Sequence, residues 1–392
     1  MSWVPVPEGS DFPLNNLPFG VFSRRGELPR VGVAIGDHVL DLHLLTSAGA
    51  LPEAYWFASG SLNSFLAAGP RAWHGVRADL TRLLTDEANR PTVLPCLLPL
   101  AEVRLHLPFN VADLVLFQTS IEHAMNQGKM FLPPGRDPLP PTWRRLPIGQ
   151  YGRAAAVSVS GAPVVRPSGQ HSGGTVAPAT KLDLSAELGY VLGVPSAPPY
   201  PLSTRDFPDH VFGVVLMNVW RAWDLMAWES RPLGPFLGQA FAVSVSPWVV
   251  PLSAVNHARV AQPEQDPAPD GYLAVADESG LDITLSVELN GTLIAEPGYA
   301  GQYWTGPQLL AQAGITGAPL RTGDLLASGP VAGAATLLDL TWGGRDPLSL
   351  PDGAERVFLE DGDTVRITAR VPAPDGLHLG FGEVTGTVYP AV

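Results

Sequence analysis

The pattern of apolar and polar positions predicts two kinds of element in the first hundred residues. Residues 20–42 alternate in polarity around turn signals at Arg25-Gly26 and Gly36-Asp37, which predicts a small antiparallel sheet. Residues 62–86 carry apolar side chains at helical spacing, which predicts a helix. Residues 90–110 are rich in proline and are predicted to link two domains.

Short β-rich segments dominate the rest of the chain. They cover residues 154–166, 182–193, 210–219, 240–251, 281–296 and 356–371. Helices are predicted at 220–230 and 306–313. The sequence shows neither an internal repeat nor a heptad pattern. The pattern therefore predicts a mostly β (α+β) chain whose larger domain is mixed and mostly antiparallel.

Composition narrows the possible functions. A chain of 392 residues is long enough for two domains, and 41 glycines and 41 prolines argue against long helices. The net charge of −13 argues against nucleic acid and against anionic membranes as partners. Cys96 is the only cysteine, so no intrachain disulfide can form, which suits a cytoplasmic location. No signal peptide is expected at the N-terminus, and no apolar run is long enough to span a bilayer.

General catalytic motifs are absent from the sequence, but several longer phrases point to one family. GxGxxG, P-loop, CxxC, HExxH and GxSxG patterns do not occur. The informative phrases are PVPEGSDFPLNNLPFGVFS near the start, LPIGQYGRAAAVSVSGAPVVRP from Leu146, HVFGVVLMNVWRAWD from His210, PLGPFLGQAFAVSVSPWVVP from Pro232 and LRTGDLLASGP from Leu320. In order and spacing they resemble the fumarylacetoacetate hydrolase family. The resemblance implies an SH3-like N-terminal β domain, residues 1–108, a C-terminal fumarylacetoacetase-type mixed β-roll domain, residues 109–392, and a homodimer.

The resemblance also implies a reaction. Members of the family hydrolyse a carbon–carbon bond of a β-diketone. Carboxylates hold a divalent cation that grips the diketone oxygens, and a histidine paired with a carboxylate activates water. Cationic and amide side chains stabilise the departing enolate, because a carbon leaving group is poor unless its charge is stabilised.

The metal ligands of the family are mostly replaced in this chain. Their positions fall on Leu116, Ser185, Glu187 and Val219, so Glu187 is the one carboxylate that remains. Hard divalent cations need several oxygen ligands. The sequence therefore predicts that no metal or other cofactor is bound. A substitute site stays open as an alternative, because Asp183, Ser185 and Glu187 share one strand face and Asp113 lies one helical turn from Leu116.

The residues that contact substrate in the family are also altered. The family's arginine, glutamine and lysine fall on Trp223, Met226 and Gln239, and a threonine falls on Pro330. Its tyrosines fall on Gln118, Gln150 and Ser230. The predicted pocket residues are Gln118, Gln150, Tyr151, Arg221, Trp223, Met226 and Gln239. If a helix opens at residue 220, Arg221 points away from Val219 and Trp223, so it is either a surface ion-pair residue or a substrate contact.

One catalytic pair of the family remains. His123 falls on the catalytic histidine and Asp339 falls on the glutamate that orients it. A carboxylate at this position fixes the imidazole tautomer and raises its basicity. The alternative is that His123 is a hydrogen-bonded structural residue.

These observations predict a small-molecule enzyme on a fumarylacetoacetase fold. Because the scaffold phrases are intact while the pocket is altered, the first hypothesis is a metal-independent enzyme of specialised metabolism. It would use a His–Asp base on a polycarbonyl or polyketide-like substrate in cyclisation, condensation or C–C bond chemistry. One alternative is a non-catalytic binding or scaffold protein. The other is a metal-dependent fumarylacetoacetate or acylpyruvate hydrolase.

Overall fold

A computed structural model describes residues 2–52, 54–373 and 376–392. The first half of the chain contains strands β1 (Phe19–Ser23), β2 (Arg30–Ile35), β3 (His38–Asp41), β4 (Leu97–Pro99), β5 (Arg104–His106), β6 (Leu114–Gln118), β7 (Ile148–Tyr151), β8 (Val157–Val159), β9 (Val164–Val165), β10 (Ser168–Gln170), β11 (Val176–Pro178), β12 (Leu182–Asp183) and β13 (Ala186–Leu192). The second half contains β14 (Val211–Val219), β15 (Arg221–Ala222), β16 (Val243–Val245), β17 (Trp248–Pro251), β18 (Arg259–Val260), β19 (Gly280–Leu281), β20 (Thr284–Leu289), β21 (Thr292–Ala295), β22 (Leu325–Ala327), β23 (Leu348–Ser349), β24 (Glu355–Arg356), β25 (Thr364–Pro372) and β26 (His378–Tyr389).

Most of the α-helices in the described residues are short. The α-helices are α1 (Leu42–Ser47), α2 (Asn63–Leu66), α3 (Pro70–Thr85), α4 (Arg90–Val93), α5 (Ile121–Phe131), α6 (Phe207–His210), α7 (Trp223–Glu229), α8 (Leu252–Val255), α9 (Gly306–Gly314) and α10 (Leu337–Leu340). Single 3-10 turns cover Ala54–Phe57, Glu87–Asn89, Leu94–Cys96, Leu100–Glu102, Ala154–Ala156, Thr204–Asp206, Asn256–Ala258, Gly271–Leu273 and Tyr299–Gly301. The prediction of a mostly β fold is confirmed. Over the described residues, none of these helices is long and apolar enough to cross a bilayer.

Two sheets organise the chain. A large mixed sheet runs in the order β4-β3-β2-β1-β17-β14-β13-β22-β6-β7, and a second sheet runs β21-β20-β25-β26-β9. The large sheet is continuous from the N-terminal segment into the C-terminal part, because Phe19 on β1 is in register with Val249 on β17. The division of the chain at residues 108 and 109 stays a prediction. Removal of the first 108 residues would expose the edge of β17.

The predicted helix over residues 62–86 is two helices. Gly69 has a φ of 84° and Pro70 follows at the first position of α3. A left-handed backbone at Gly69 cannot continue α2, whereas proline fits the first turn of a new helix. The helical pattern is therefore correct on both sides of a break that the glycine and proline create.

The predicted linker at residues 90–110 is wrong. Strand β4 pairs with β3, placing Leu98 opposite Val39, and β5 pairs with β1, placing Leu105 opposite Phe22. The prolines occupy the ends and turns of these short segments, where their missing N–H costs nothing. This stretch completes the N-terminal sheet.

Strand β26 was not predicted, because glycines interrupt its pattern. A Cβ at Gly380 would lie 2.3 Å from the Asp11 side chain, and one at Gly386 would lie 2.5 Å from Trp220. Glycine at these positions allows other elements to pack directly on the strand backbone. Strands β25 and β26 of the second sheet pack against β14, the strand that leads into the candidate site.

Candidate functional site

A cavity of about 730 Å³ opens beside β6, β7 and the segment that follows β14. Its lining comprises Leu116, Phe117, Gln118, Gln127, Phe131, Ile148, Gly149, Gln150, Arg221, Trp223, Met226, Ala227, Trp228, Ser230, Arg231, Pro235 and Gln239. The cavity is large enough for a small organic molecule. The structure thus brings six of the seven predicted pocket residues together.

Tyr151 is the predicted pocket residue that lies elsewhere. Strand β7 alternates half-buried and exposed positions, so Gln150 faces the cavity while the Tyr151 side chain is 74% exposed. Successive side chains of a strand point to opposite faces, which explains the difference. The placement of Tyr151 in the pocket is therefore not supported by the geometry.

Helix α5 supplies two cavity residues that the sequence reasoning missed. Gln127 and Phe131 both line the cavity. Gln127 accepts a hydrogen bond of 2.6 Å from Gln118 Nε2, while Gln118 Oε1 accepts one of 3.0 Å from Trp143. Positions 123, 127 and 131 recur every fourth residue and so share one helix face. Helical spacing from His123 would have identified both residues.

His123 and Asp339 form a buried pair. His123 Nδ1 lies 2.6 Å from Asp339 Oδ2, and the two side chains are 2% and 3% exposed. Asp339 also accepts hydrogen bonds of 3.0 Å from Asn126 Nδ2 and 2.8 Å from the Thr336 hydroxyl. His123 Nε2 is buried and has no hydrogen-bond partner among the described residues. The pair thus leaves one imidazole nitrogen available for chemistry.

The environment of Asp339 favours its ionised form. Burial raises the pKa of this carboxyl. The neighbouring His123 and the hydrogen bonds from His123, Asn126 and Thr336 lower the pKa by more than burial raises it, so it lies below its ordinary value. An ionised carboxylate can only accept hydrogen bonds, so Asp339 accepts one from the Nδ1–H of His123. His123 is therefore held in the tautomer whose Nε2 carries the lone pair.

The wall between the imidazole and the cavity is aromatic. His123 lies outside the set of described residues that line the cavity. The ring of Trp223, which does line it, is centred 6.4 Å from the imidazole and 6.3 Å from the ring of Phe131. Because Nε2 is buried, a water molecule reaches it only if the surrounding side chains move.

Asp183 ties this wall to the helix that carries Asp339. Its carboxyl accepts hydrogen bonds of 2.8 Å from Trp223 Nε1, 2.8 Å from the Leu337 amide and 2.9 Å from the Leu338 amide. Burial raises the pKa of Asp183 to about 6, although these hydrogen bonds oppose the rise. Both oxygens are engaged, so Asp183 positions Trp223 and the start of α10.

Arg221 is buried, and the prediction that a helix from residue 220 turns it away is wrong. Residues 221 and 222 form strand β15, which pairs with β12, and α7 begins only at Trp223. Arg221 is 6% exposed and donates a hydrogen bond of 2.8 Å from Nη2 to Glu187 Oε1. Its guanidinium also lies 5.7 Å from the centre of the Trp223 ring. Arg221 is thus part of the cavity wall rather than a surface ion-pair residue.

Glu187 is fully engaged in this arrangement. Oε1 also accepts a hydrogen bond of 2.7 Å from the Ser185 hydroxyl, and Oε2 accepts one of 3.0 Å from the Gly329 amide. Glu187 itself is 0% exposed. The guanidinium of Arg221 is therefore the positive charge that balances the carboxylate of Glu187.

The residues at the family's metal position do not fit a divalent cation. Leu116 and Val219 offer no ligand atoms and pack in the same apolar core, and Glu187 is paired with Arg221. Across the described residues, no group of three or more His, Cys, Asp or Glu side chains converges on one point. Hard cations require several oxygen ligands at once.

The substitute metal site at Asp183, Glu187 and Asp113 also lacks geometric support. Leu116 lies on strand β6 rather than on a helix, so Asp113 is not one helical turn from it. The Asp113 side chain is 42% exposed and lies 3.7 Å from Arg321. Asp183 and Glu187 are each committed to other partners.

Comparisons with known proteins cover the whole chain. A family model described as Fumarylacetoacetase N-terminal matches residues 15–108, and one described as Fumarylacetoacetate (FAA) hydrolase C-terminal matches residues 115–389. The chain is 41% identical to the fumarylacetoacetase of Homo sapiens over 418 residues, covering 100% of this chain and 99% of the human protein. It is 39% identical to that of Oryza sativa subsp. japonica over 421 residues, covering 100% and 97%.

Solved structures of low sequence identity share the fold. A fumarylacetoacetate hydrolase from Exiguobacterium antarcticum matches with a TM-score of 0.57 and 18% identity, covering 95% of this chain and 99% of that one. A maleylpyruvate hydrolase from Sphingobium sp. SYK-6, in complex with manganese (II) ion and pyruvate, matches with a TM-score of 0.52 and 18% identity, covering 96% and 100%. Together with the family models, they confirm the predicted fold of an SH3-like N-terminal domain and a fumarylacetoacetase-type β-roll domain.

The relatives correct the functional hypothesis. The prediction of a metal-independent enzyme of specialised metabolism acting on a polyketide-like substrate is wrong, because the full-length relatives at 39% to 41% identity are fumarylacetoacetases. The alternative of a non-catalytic binding or scaffold protein is wrong for the same reason. The prediction of an enzyme acting on a small molecule is confirmed. The remaining alternative, hydrolysis of a β-diketone, agrees best with the relatives.

Proposed function

Because the chain belongs to the fumarylacetoacetate hydrolase family, we propose that it hydrolyses a carbon–carbon bond of a β-diketone of the fumarylacetoacetate or acylpyruvate class. The observation that carries this proposal is the pairing of His123 with Asp339 next to the cavity, with Nε2 left unpaired among the described residues. A histidine held in this tautomer by a carboxylate is suited to remove a proton from water.

The proposed reaction begins with a water molecule at His123 Nε2. The imidazole takes one proton from the water while the water oxygen bonds to a carbonyl carbon of the substrate. The bond between that carbon and the central carbon of the diketone then breaks, and its electron pair moves into an enolate. Return of the proton from His123 to the enolate carbon completes the reaction. The products are a carboxylic acid and a ketone, so one water is consumed per cleavage.

The composition of the cavity wall favours a substrate with an apolar part. Phe131, Trp223 and Met226 present apolar surface, whereas Gln118 and Gln150 add amide groups. Trp223 and Met226 replace polar residues of the family pattern. We therefore propose that acylpyruvates with longer alkyl chains are turned over more efficiently than fumarylacetoacetate itself.

Cleavage in ¹⁸O-labelled water tests this function. Fumarylacetoacetate, acetopyruvate and acylpyruvates of increasing chain length are incubated with the protein, and the loss of the ultraviolet band of the enolised diketone is followed. Mass spectrometry is expected to find two fragments, with one ¹⁸O atom in the new carboxylate. Reactions without protein are the control. Absence of cleavage across the series, or a product of unchanged mass, would contradict the proposal.

We propose further that the protein is a homodimer. The segment that borders the cavity exposes apolar side chains: Leu233 is 98% exposed and Phe236 is 67% exposed. Large exposed apolar side chains in one segment favour an interaction surface. Light scattering after gel filtration should give twice the chain mass of 41.5 kDa. Phe236→Glu should shift the mass toward the monomer, whereas a monomeric wild-type protein would contradict the proposal.

A cytoplasmic location is part of the same proposal. Cys96 is the chain's only cysteine and its side chain is buried. A free buried thiol is compatible with a reducing compartment.

A further inference from the structure

Two residues that line the cavity each carry a buried N–H donor without an acceptor among the described residues. Arg221 is 6% exposed and its Nε has no partner among the described residues. Gln239 is 4% exposed and its Nε2 likewise lacks a partner in the described part of the chain. Both residues line the cavity. Buried donors without partners are rare in folded proteins, so each calls for an acceptor atom that the cavity's occupant supplies.

The backbone brings these donors side by side. The Ala222 amide donates a hydrogen bond of 2.7 Å to the Gly238 carbonyl. Ala222 follows Arg221 in the chain, and Gly238 precedes Gln239. Arg221 and Gln239 therefore lie on adjacent segments of the wall. A Cβ at Gly238 would lie 2.9 Å from the Ala222 carbonyl oxygen, which shows how closely the two segments pack. The two segments are therefore in direct contact next to the residues that carry the donors.

The guanidinium is oriented before any ligand binds. Glu187 holds Nη2 at 2.8 Å, and the Trp223 ring lies 5.7 Å from the guanidinium carbon. The Ser185 hydroxyl and the Gly329 amide also donate to Glu187, which spreads its negative charge over three donors. Arg221 thus retains N–H groups, including the unpartnered Nε, for a second acceptor. Planar guanidinium groups bind carboxylate-like oxygens with good geometry.

The charge of the cavity points to an anionic ligand. Among the described residues that line it, the charged side chains are both arginines, Arg221 and Arg231. Arg231 is exposed, whereas Arg221 lies on the inner wall. An anion in the cavity therefore meets no repelling carboxylate among the described lining residues.

We propose that Arg221, with Gln239 as a second donor, binds the anionic oxygen of the substrate and of the enolate that forms as the carbon–carbon bond breaks. This inference rests on the proposed β-diketone hydrolysis. At the family's metal position, Leu116 and Val219 offer no ligand atoms and Glu187 is already paired with Arg221. Arg221 becomes a residue that touches the reacting atoms, and Glu187 positions it.

Oxalate binding tests this site without requiring turnover. Titration calorimetry of the full-length protein, after dialysis against EDTA, is expected to show oxalate binding that Arg221→Met weakens at least tenfold. Gln239→Leu should weaken binding about threefold to tenfold, as the loss of one hydrogen bond to a charged group predicts. Arg205→Met, at an exposed arginine outside the cavity lining, is the matched control and should change the affinity less than threefold. Oxalate binding that needs a divalent cation, or equal affinity in Arg221→Met, would overturn the inference.

A second variant guards against a loss of folding. Arg221→Met leaves Glu187 buried without its counter-charge, so Glu187→Gln/Arg221→Met removes both charges together. The double variant should fold and still fail to bind oxalate. If the double variant unfolds as well, Arg221→Lys is the deciding variant. Because lysine keeps the positive charge, this variant should retain part of the oxalate binding. Complete loss of binding in a folded Arg221→Lys protein would contradict a role for the charge of Arg221.

Kinetics separate this inference from the proposed function. With acetopyruvate, Arg221→Met should lower kcat more than it raises KM, because the enolate carries more charge than the ground state. Unchanged kinetics in this variant would refute the role of Arg221 and leave the hydrolase function intact. Arg221-dependent oxalate binding without cleavage of any β-diketone would refute the function and leave the anion site intact.

Discussion

Replacing His123 with glutamine is expected to lower kcat for β-diketone cleavage by about 10²–10⁴-fold, the usual contribution of general acid–base catalysis. The structure holds the His123 imidazole, next to the cavity wall, in a fixed tautomer through the 2.6 Å contact with Asp339. Glutamine keeps much of the side-chain volume and can still donate to the carboxylate. The measurement is steady-state kinetics with the best acylpyruvate, together with the melting temperature of each variant.

Two companion variants sharpen this prediction. Asp339→Asn should also lower kcat, and the loss should approach that of His123→Gln because an amide can favour the wrong imidazole tautomer. His257→Gln is the control, since His257 is an exposed histidine outside the cavity lining whose Nε2 contacts the Pro372 carbonyl at 2.9 Å. Full activity in a well-folded His123→Gln protein would remove the dyad from the mechanism and leave His123 with a structural role.

The sequence was sufficient for most of the fold because alternation and helical spacing are local signals. It failed where tertiary contacts override them. Gly380 and Gly386 weaken the strand signal of β26, yet they are required because Asp11 and Trp220 pack against its backbone. The prolines of residues 90–110 resemble a linker in composition, but β4 and β5 complete a sheet whose other strands lie far away in the sequence.

In the candidate site, too, the sequence predicts some residue positions correctly and misplaces others that depend on tertiary contacts. His123 and Asp339 were identified as a pair from the resemblance, and the structure places them in hydrogen-bond contact. Arg221 was placed by a local argument, a helix starting one residue earlier. The register of β15 against β12 instead turns it inward, opposite Asp183. That register depends on a partner strand 38 residues earlier in the chain, since residues 221 and 183 pair, and no local pattern contains it.

Glu187→Gln is expected to reduce the free energy of unfolding by about 3–5 kcal/mol, the range observed when one partner of a buried ion pair is removed. Glu187 is 0% exposed and its Arg221 partner is 8% exposed at the side chain, so water cannot replace the lost charge. Glutamine can accept the Gly329 hydrogen bond with its oxygen, but its amide nitrogen then meets the donors Arg221 and Ser185. Urea unfolding at a fixed protein concentration measures the change, because a dimer's midpoint depends on concentration.

The double variant Glu187→Gln/Arg221→Met turns this loss into a test of the pair itself. If the cost of Glu187→Gln comes from leaving the Arg221 charge buried and uncompensated, removal of that charge should restore about 1–3 kcal/mol relative to the sum of the single effects. The matched control is the exposed pair of Arg366 with Glu383, whose side chains are 43% and 52% exposed. Glu383→Gln should change stability by less than about 1 kcal/mol, because solvent screens exposed charges.

A Glu187→Gln variant as stable as Glu383→Gln would mean that Arg221 finds water or another acceptor within reach. The guanidinium would then not be held by Glu187 against the cavity wall, and Glu187 would lose its proposed positioning role.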